Sequence, residues 1–283
     1  MRTALGWRVW LALGYWLTLG LIAWLAPDIA PHPPQLQDLD RPLLPPAWLP
    51  GGDWDLPLGS DSLGRCLLSR LIFGSRVVFV VALLAALGSA LIGTTLGLLA
   101  GYIKGWPGRL IALLMDTWMA FPAVVLAMLL MVALEPGFAN VILAIILVDW
   151  TRFCRVIRSE TRQLATRDYV LAARITGASP LAVIGRDLLP GVMPTLIVMT
   201  SLSMGSAIVT ESILAFVGMS VDPGVPSWGT MIAQGLDNAL SAPWQLLPPL
   251  LATVSAILAS IMLGTGLRYA SRGPAASGGV TVP

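Results

Sequence analysis

Long apolar stretches alternate with shorter polar segments along most of this 283-residue chain. An apolar helix needs about 20 residues to cross the hydrocarbon core of a bilayer, since each residue rises about 1.5 Å. We therefore predict about six transmembrane helices, of which the fourth is the shortest. No alternation of period two is visible, so the predicted fold class is an all-α integral membrane protein. The predicted spans cover residues 9–26, 77–101, 110–134, 138–150, 191–210 and 242–267.

The composition agrees with a protein whose solvent is the membrane. Hydrophobic residues make up 56% of the chain and charged residues 11%, with a mean hydropathy of +0.81. A soluble chain of this length could not cover its surface with so few charges. A net charge of +2 without a basic run among aromatic residues excludes a nucleic-acid-binding protein. Cys66, Cys154 and His32 give no metal-ligand spacing, and no cofactor is predicted.

The first apolar run has two interpretations. Arg2 and Arg8 precede it, as in a cleaved signal peptide. However, the run is long, contains three tryptophans and meets Pro27 directly after Ala26, without a small-x-small cleavage site. We predict that it is retained as the first transmembrane helix.

The positions of lysine and arginine predict the orientation, because short cytoplasmic loops retain positive charge. Arginines near both termini and the arginine-rich segment 152–186 place these regions in the cytoplasm. Segment 27–76 then lies outside, where its six aspartates offset its arginines.

This organisation divides the chain into four parts. Residues 1–26 form the N-terminal transmembrane helix, and residues 77–270 form a core of five further transmembrane helices. Between them, residues 27–76 form a segment outside the membrane that is proline-rich and irregular up to residue 57. An interfacial helix is predicted over 62–79, leading into the second span. Residues 271–283 form a cytoplasmic tail that is predicted to be disordered.

The cytoplasmic segment 167–190 has a helix-turn-helix pattern. Asp168 can cap a short helix, and Gly177 suits a helix end or tight turn. Ser179 and Pro180 suit the cap and first turn of a second short helix. Small residues in this segment would let another protein approach closely. They are Ala172, Ala173, Gly177 and Ala178.

Segment 167–190 resembles the Glu-Ala-Ala loop of ABC importer permeases, in which a coupling helix docks in a cleft of the cytoplasmic ATPase. Leu171 stands where the family often has glutamate, so docking is expected from shape and from the neighbouring small residues. The residues that the resemblance implies for the ATPase-coupling loop are Tyr169, Ala172, Ala173, Gly177, Leu189 and Pro190.

Further segments resemble the dipeptide, oligopeptide and nickel permease subfamily in the same order along the chain. At residues 264–268 the chain reads Gly-Thr-Gly-Leu-Arg, without the aspartate that the subfamily usually has there. The resemblance covers residues 9–272. The segments that carry it are 58–65, 69–70, 74–76, 116–122, 140–150, 211–218 and 226–229.

The resemblance implies half of a translocation pathway for a small solute, driven by ATP through alternating access. The expected substrates are di- or oligopeptides, or nickel and metal-chelate complexes. The expected partners are a second homologous permease subunit, two cytoplasmic ABC ATPase subunits, a periplasmic or lipid-anchored substrate-binding protein, and membrane lipids. The expected location is the bacterial inner membrane, with both termini cytoplasmic.

The chain itself is predicted not to be an enzyme. It contains no Gly-x-x-x-x-Gly-Lys-Ser/Thr phosphate-binding loop, so ATP hydrolysis is expected in a separate subunit. Two other classes stay open. A secondary transporter driven by an ion gradient would have inverted repeats and broken helices with charged groups, and neither is visible. A membrane receptor or assembly factor without transport would need no ATPase loop.

Glu211 is the ionisable residue of interest inside a predicted span. A carboxylate in lipid is costly and should face protein or water. We consider two roles for it, a translocation-pathway or gate residue and a structural acid paired with the second permease subunit. Asp116 and Asp149 lie nearer the predicted helix ends, where interfacial hydration is expected.

Overall fold

A computed structural model describes residues 6–103, 105–222 and 224–272. This part of the chain is helical without strands, and a single isolated bridge pairs Ser60 with Cys66. The predicted all-α fold is confirmed. A π-helical turn covers Ile184–Leu188, and a 3-10 turn covers Pro243–Gln245. The helices are α1 Trp7–Ile29, α2 Leu67–Tyr102, α3 Trp106–Met119, α4 Ala123–Leu134, α5 Phe138–Leu164, α6 Asp168–Ile175, α7 Pro180–Val183, α8 Leu189–Phe216, α9 Trp228–Asp237 and α10 Leu247–Arg272.

Four helical runs in the described residues are long and apolar enough to cross a membrane. They are α1, α2, Pro180–Phe216 and Pro243–Tyr269. The pair α3 and α4 meets the same criterion if it counts as one bent span, which gives five. Helix α5 has 27 residues but carries several charges and does not meet it. The count of six therefore stays a prediction.

The continuous third span predicted over 110–134 is wrong. The chain breaks between α3 and α4, and the two helices meet at an angle of 92°. Pro122 lies at this break as the N-cap of α4. It lacks an N–H group, and its ring disfavours helical geometry at Phe121, so a helix ends readily before it.

Other helix boundaries differ from the prediction because helices continue past polar residues. The interfacial helix predicted over 62–79 and the second span are one helix, α2, which begins at Leu67 and is about 54 Å long at the usual rise per residue. Helix α1 continues through Pro27 to Ile29, and α5 continues past Trp150 to Leu164. Residues 1–5 and the predicted tail from 273 onward lie outside the described residues.

Helices α2 and α5 pack with their backbones in close approach. Gly93, Gly97 and Gly101 recur every four residues and therefore lie on one face of α2. A methyl group at Gly93 would lie 2.4 Å from the carbonyl oxygen of Trp150, and one at Gly97 would lie 2.9 Å from Cβ of Ile157. Small residues at such spacing let membrane helices approach closely. These glycines thus form the seam between the two helices.

The length of α2 separates two ends of the molecule. At its first turns, α2 meets the irregular segment 30–66 and α9, and we call this the Pro-rich end. At its last turn, Tyr102 contacts Arg174 of α6, and we call this the loop end. Residues 30–57 contain no helix or strand, whereas residues 27–29 of the segment predicted to be irregular belong to α1. Each end carries one group of candidate residues.

Candidate functional site

The turn between α6 and α7 has the geometry that its sequence predicts. Gly177 has φ +84°, a left-handed conformation that favours glycine. The N–H of Ala178 donates to the carbonyl of Ala173, and the N–H of Gly177 donates to that of Arg174, both at 3.0 Å. These two bonds form a Schellman motif that ends α6.

The second short helix also begins as predicted. Ser179 is its N-cap, and its hydroxyl oxygen accepts the N–H of Ala182 at 3.3 Å, while Pro180 holds the first position. Asp168 differs from the expectation, because it lies in the first turn of α6 after the N-cap residue, Arg167. The α7 helix continues through the π-helical turn into α8, so the turn is joined directly to a long apolar helix.

Below the turn, fully buried side chains attach α6 and α7 to three long helices. Val170 of α6 and Val183 of α7 are both 0% exposed. Ala173 and Leu189 pack against the same cluster, which we call the anchor cluster. Since well-packed cores transmit displacement, the loop and these helices should move together. The buried members from α2, α5, the π-helical turn and α8 are Leu98, Ile157, Leu188 and Val192.

The opposite face of the loop exposes large apolar side chains. Ile175 is 87% exposed and Leu181 is 76% exposed, on either side of Gly177. We call this face the coupling surface. Large apolar side chains exposed on a loop in this way are typical of protein contact sites. Its residues are Tyr169, Leu171, Ala172, Ile175, Gly177 and Leu181.

The structure thus separates the residues that the sequence analysis grouped together. Tyr169, Ala172 and Gly177 lie on the coupling surface, whereas Ala173 packs partly against the anchor cluster. Leu189 and Pro190 form the first turn of α8. Ile175 and Leu181 are not among the loop residues predicted from the sequence, although apolar residues that flank a turn in an arginine-rich segment were a usable signal.

Glu211 lies in α8 near the Pro-rich end and is 1% exposed. The hydroxyl of Ser220 donates to its Oε1 at 2.9 Å, and its Oε2 has no hydrogen-bond partner among the described residues. The carboxyl group is therefore enclosed by its own chain in this conformation.

The segment around Glu211 packs against two other segments of the subfamily resemblance. A methyl group at Gly74 would lie 2.7 Å from Trp228, whose Nε1 donates to the carbonyl of Leu71 at 2.9 Å. A methyl group at Gly229 would lie 2.8 Å from Cα of Ser212. Segments 69–76, 211–218 and 226–229 thus meet at the Pro-rich end.

A buried ion pair joins segment 58–65 to the same region. Asp61 is 2% exposed and accepts hydrogen bonds from Arg65, at 2.7 Å, and from Arg70. Arg70 also donates to Oε1 of Gln234 in α9 at 2.8 Å. A carboxylate this buried depends on such partners, because an unpaired charge would be strongly unfavourable.

Asp149 and Asp116 have different environments. Asp149 is 7% exposed, and its Oδ2 accepts the hydroxyl of Ser203 at 3.3 Å. The prediction that Asp149 is hydrated near a helix end is wrong, because α5 continues to Leu164 and Asp149 therefore lies away from the end of the helix. Asp116 is exposed and lies 3.5 Å from Arg155.

The described part of the chain has several apolar helices of spanning length, a buried acid within one of them and an anchored loop, and these features define a multi-pass membrane protein. Residues 93–271 match the family described as "Binding-protein-dependent transport system inner membrane component". The chain belongs to this family and is a permease component of an ABC importer. The sequence resemblance is confirmed, and the secondary-transporter and assembly-factor alternatives are not favoured.

Similar proteins include two peptide permeases and one glutathione permease. The di/tripeptide transport system permease protein DppC of Pseudomonas aeruginosa is 40% identical over 262 residues, which is 92% of this chain and 86% of that protein. The dipeptide permease DppC of Haemophilus influenzae is 36% identical over 254 residues, 90% and 86% of the two chains. The glutathione permease GsiD of Pectobacterium atrosepticum is 37% identical over 213 residues, 75% and 71% of the two chains.

Proposed function

We propose that this chain forms half of the pathway through which short peptides enter the cell, and that its α6–α7 loop docks in a cytoplasmic ATPase subunit. The observation that carries this proposal is the coupling surface itself. Ile175 and Leu181 are exposed at a loop whose other face is fixed by the anchor cluster. A rigid loop with an apolar outer face is suited to transmit force from a partner protein.

The anchor cluster gives the proposal its mechanism. Leu98, Ile157 and Val192 belong to α2, α5 and α8, and all three pack into the cluster. A displacement of the docked loop would therefore move the three helices as a body. Rigid-body motion of this kind can alternate access between the two sides of the membrane. ATP binding and hydrolysis in the partner would drive it.

The proposed complex contains a second homologous permease subunit, two ABC ATPase subunits and a periplasmic or lipid-anchored substrate-binding protein. We place the loop end and both termini in the cytoplasm, because α5 and the loop carry the arginines of segment 152–186. The Pro-rich end would then face the periplasm, where the binding protein delivers its ligand.

Short peptides are the substrate class that we propose. The three relatives are named for di/tripeptides, dipeptides and glutathione, which is itself a tripeptide. None of these three names supports nickel complexes, the other class expected from the sequence. In the assembled transporter, uptake of a labelled dipeptide should be reduced by unlabelled di- and tripeptides and unaffected by nickel salts.

The docking proposal is tested by placing charge on the coupling surface. Ile175→Asp and Leu181→Asp should each weaken ATPase co-purification and reduce dipeptide uptake by about tenfold or more, because an unpaired charge would be buried at the contact. Leu240→Asp is the matched control, since Leu240 is fully exposed but lies between α9 and α10. Normal co-purification and uptake in both loop variants would refute the docking assignment.

A further inference from the structure

A cavity of about 510 Å³ lies at the loop end, where α2, α3, α5 and α6 meet. Three arginines are among the residues that line it, Arg109 from α3, Arg162 from α5 and Arg174 from α6. None of the described residues that line it is an aspartate or glutamate. The cavity therefore concentrates positive charge without an acidic side chain to balance it.

The three arginines differ in what they already contact. Nε of Arg174 donates to the hydroxyl of Tyr102 at 3.1 Å, and its guanidinium carbon lies 4.4 Å from the centre of that ring. In the described part of the chain, Arg109 and Arg162 form no ion pair with a carboxylate. Guanidinium groups match the geometry of phosphate oxygens, and a cleft lined by one sign of charge attracts the opposite sign. The cavity is thus suited to bind a phosphate group.

Helix α3 shows where this cavity lies relative to lipid. Trp106, Leu110 and Leu113 are 73%, 54% and 65% exposed. They are spaced four and three residues apart, so they share one face of the helix. Exposed tryptophan beside leucine at the end of a membrane helix is typical of the headgroup level of the bilayer. A molecule held by the arginines would have an apolar surface beside it.

We propose that this cavity binds the phosphate group of an anionic phospholipid, with the acyl chains along the exposed face of α3. Basic pockets between membrane helices bind such headgroups. Acidic side chains of an ATPase subunit could also pair with the arginines, but the exposed apolar face of α3 favours a lipid. Because Arg174 and Leu171 belong to α6, the bound lipid would hold the loop against α2, α3 and α5. Only this effect on coupling rests on the proposed function; the binding does not.

The test uses the purified full-length permease without ATPase subunits. Native mass spectrometry would compare binding of phosphatidylglycerol with that of zwitterionic phosphatidylcholine. The double variant Arg109→Gln/Arg162→Gln should bind phosphatidylglycerol about tenfold more weakly, because it loses charge-assisted hydrogen bonds to the phosphate. Arg167→Gln/Arg186→Gln is the matched control, because it changes the charge by the same amount at arginines that do not line the cavity. This variant should bind phosphatidylglycerol as tightly as the wild type does.

Unchanged binding of phosphatidylglycerol by the Arg109→Gln/Arg162→Gln variant would overturn the proposal. Equal binding of the two lipids to the wild-type protein would also overturn it. Because this comparison needs no variant, misfolding of a variant cannot obscure the result. Displacement of the lipid by millimolar inorganic phosphate would assign the site to soluble phosphate. In a separate co-purification of the assembled transporter, loss of the ATPase from the Arg109→Gln/Arg162→Gln variant, with unchanged lipid binding, would assign the arginines to the ATPase contact and overturn the proposal. If the docking assignment fails while phosphatidylglycerol selectivity holds, the lipid site stands and only its role in coupling is lost.

Discussion

Glu211 illustrates how one buried side chain can combine a structural and a functional role. Its Oε1 is bonded to Ser220, while its Oε2 lacks a partner within the described residues. An unsatisfied buried carboxylate oxygen is unfavourable, so this conformation leaves a polar atom for another state of the transporter to satisfy. That makes the residue a candidate for a group that changes partners during transport.

We predict that Glu211→Gln lowers dipeptide uptake while the assembled complex is retained. Glutamine keeps the volume and still accepts the hydroxyl of Ser220, but it cannot carry charge. Ser220→Ala is the control, because it removes that hydrogen bond and keeps the carboxyl group. Uptake assays and size-exclusion chromatography of the complex provide the two measurements. If Glu211→Gln abolishes assembly together with uptake, the residue is structural.

Local chemistry explains which residues of the loop were predictable. Gly177, Ser179 and Pro180 act through their own backbone and nearest neighbours, so their positions follow from the sequence. The exposure of Ile175 and the burial of Asp149 depend instead on which helices pack beside them. These could not be read from local pattern.

Helix ends were the least predictable feature at the level of elements. Charged residues suggested that the fourth span ends near Trp150, yet α5 continues to Leu164 because its polar side chains find partners or solvent. Pro122 was visible in the sequence, but its effect depends on whether the helix kinks or breaks, and here it breaks. The apolar pattern predicted which stretches form helices more accurately than it predicted the residues at which those helices end.

The seam between α2 and α5 gives a prediction at the same scale. Gly97→Leu should lower the melting temperature of the detergent-solubilised protein, because overpacking of a tight contact costs about 1–3 kcal/mol or more. Gly14→Leu in α1 is the control, since nothing lies within 4 Å of the site where its side chain would begin. Scanning fluorimetry measures both. Equal melting temperatures for the two variants would contradict the close approach of these helices.

At the scale of the whole molecule, the sequence predicted the class of protein but not how its segments pack against one another. Composition and periodicity indicated an all-α membrane protein, and the order of resembling segments indicated its family. Nothing in the sequence alone places Trp228 against Gly74, or Arg70 between Asp61 and Gln234. These contacts join segments far apart in the chain, so only the folded structure shows that they form one unit at the Pro-rich end.

We propose that force from an ATPase subunit enters this molecule through the α6–α7 loop. A second Schellman motif ends α8, where the N–H of Met219 donates to the carbonyl of Leu214 at 2.8 Å and the N–H of Gly218 donates to that of Ala215 at 3.0 Å. The two motifs allow a matched comparison, because Gly177 and Gly218 have φ of +84° and +78°, and no atom lies within 4 Å of the site where a side chain would begin. An aspartate at either site introduces the same charge and similar backbone strain, at the loop end for Gly177 and at the Pro-rich end for Gly218.

The most direct measurement is therefore ATPase co-purification with Gly177→Asp and Gly218→Asp, at equal membrane expression. We predict that Gly177→Asp loses the ATPase and abolishes ATP-driven dipeptide uptake, whereas Gly218→Asp retains the ATPase. Retention of the ATPase and full uptake by Gly177→Asp would show that the α6–α7 loop does not carry force from the ATPase.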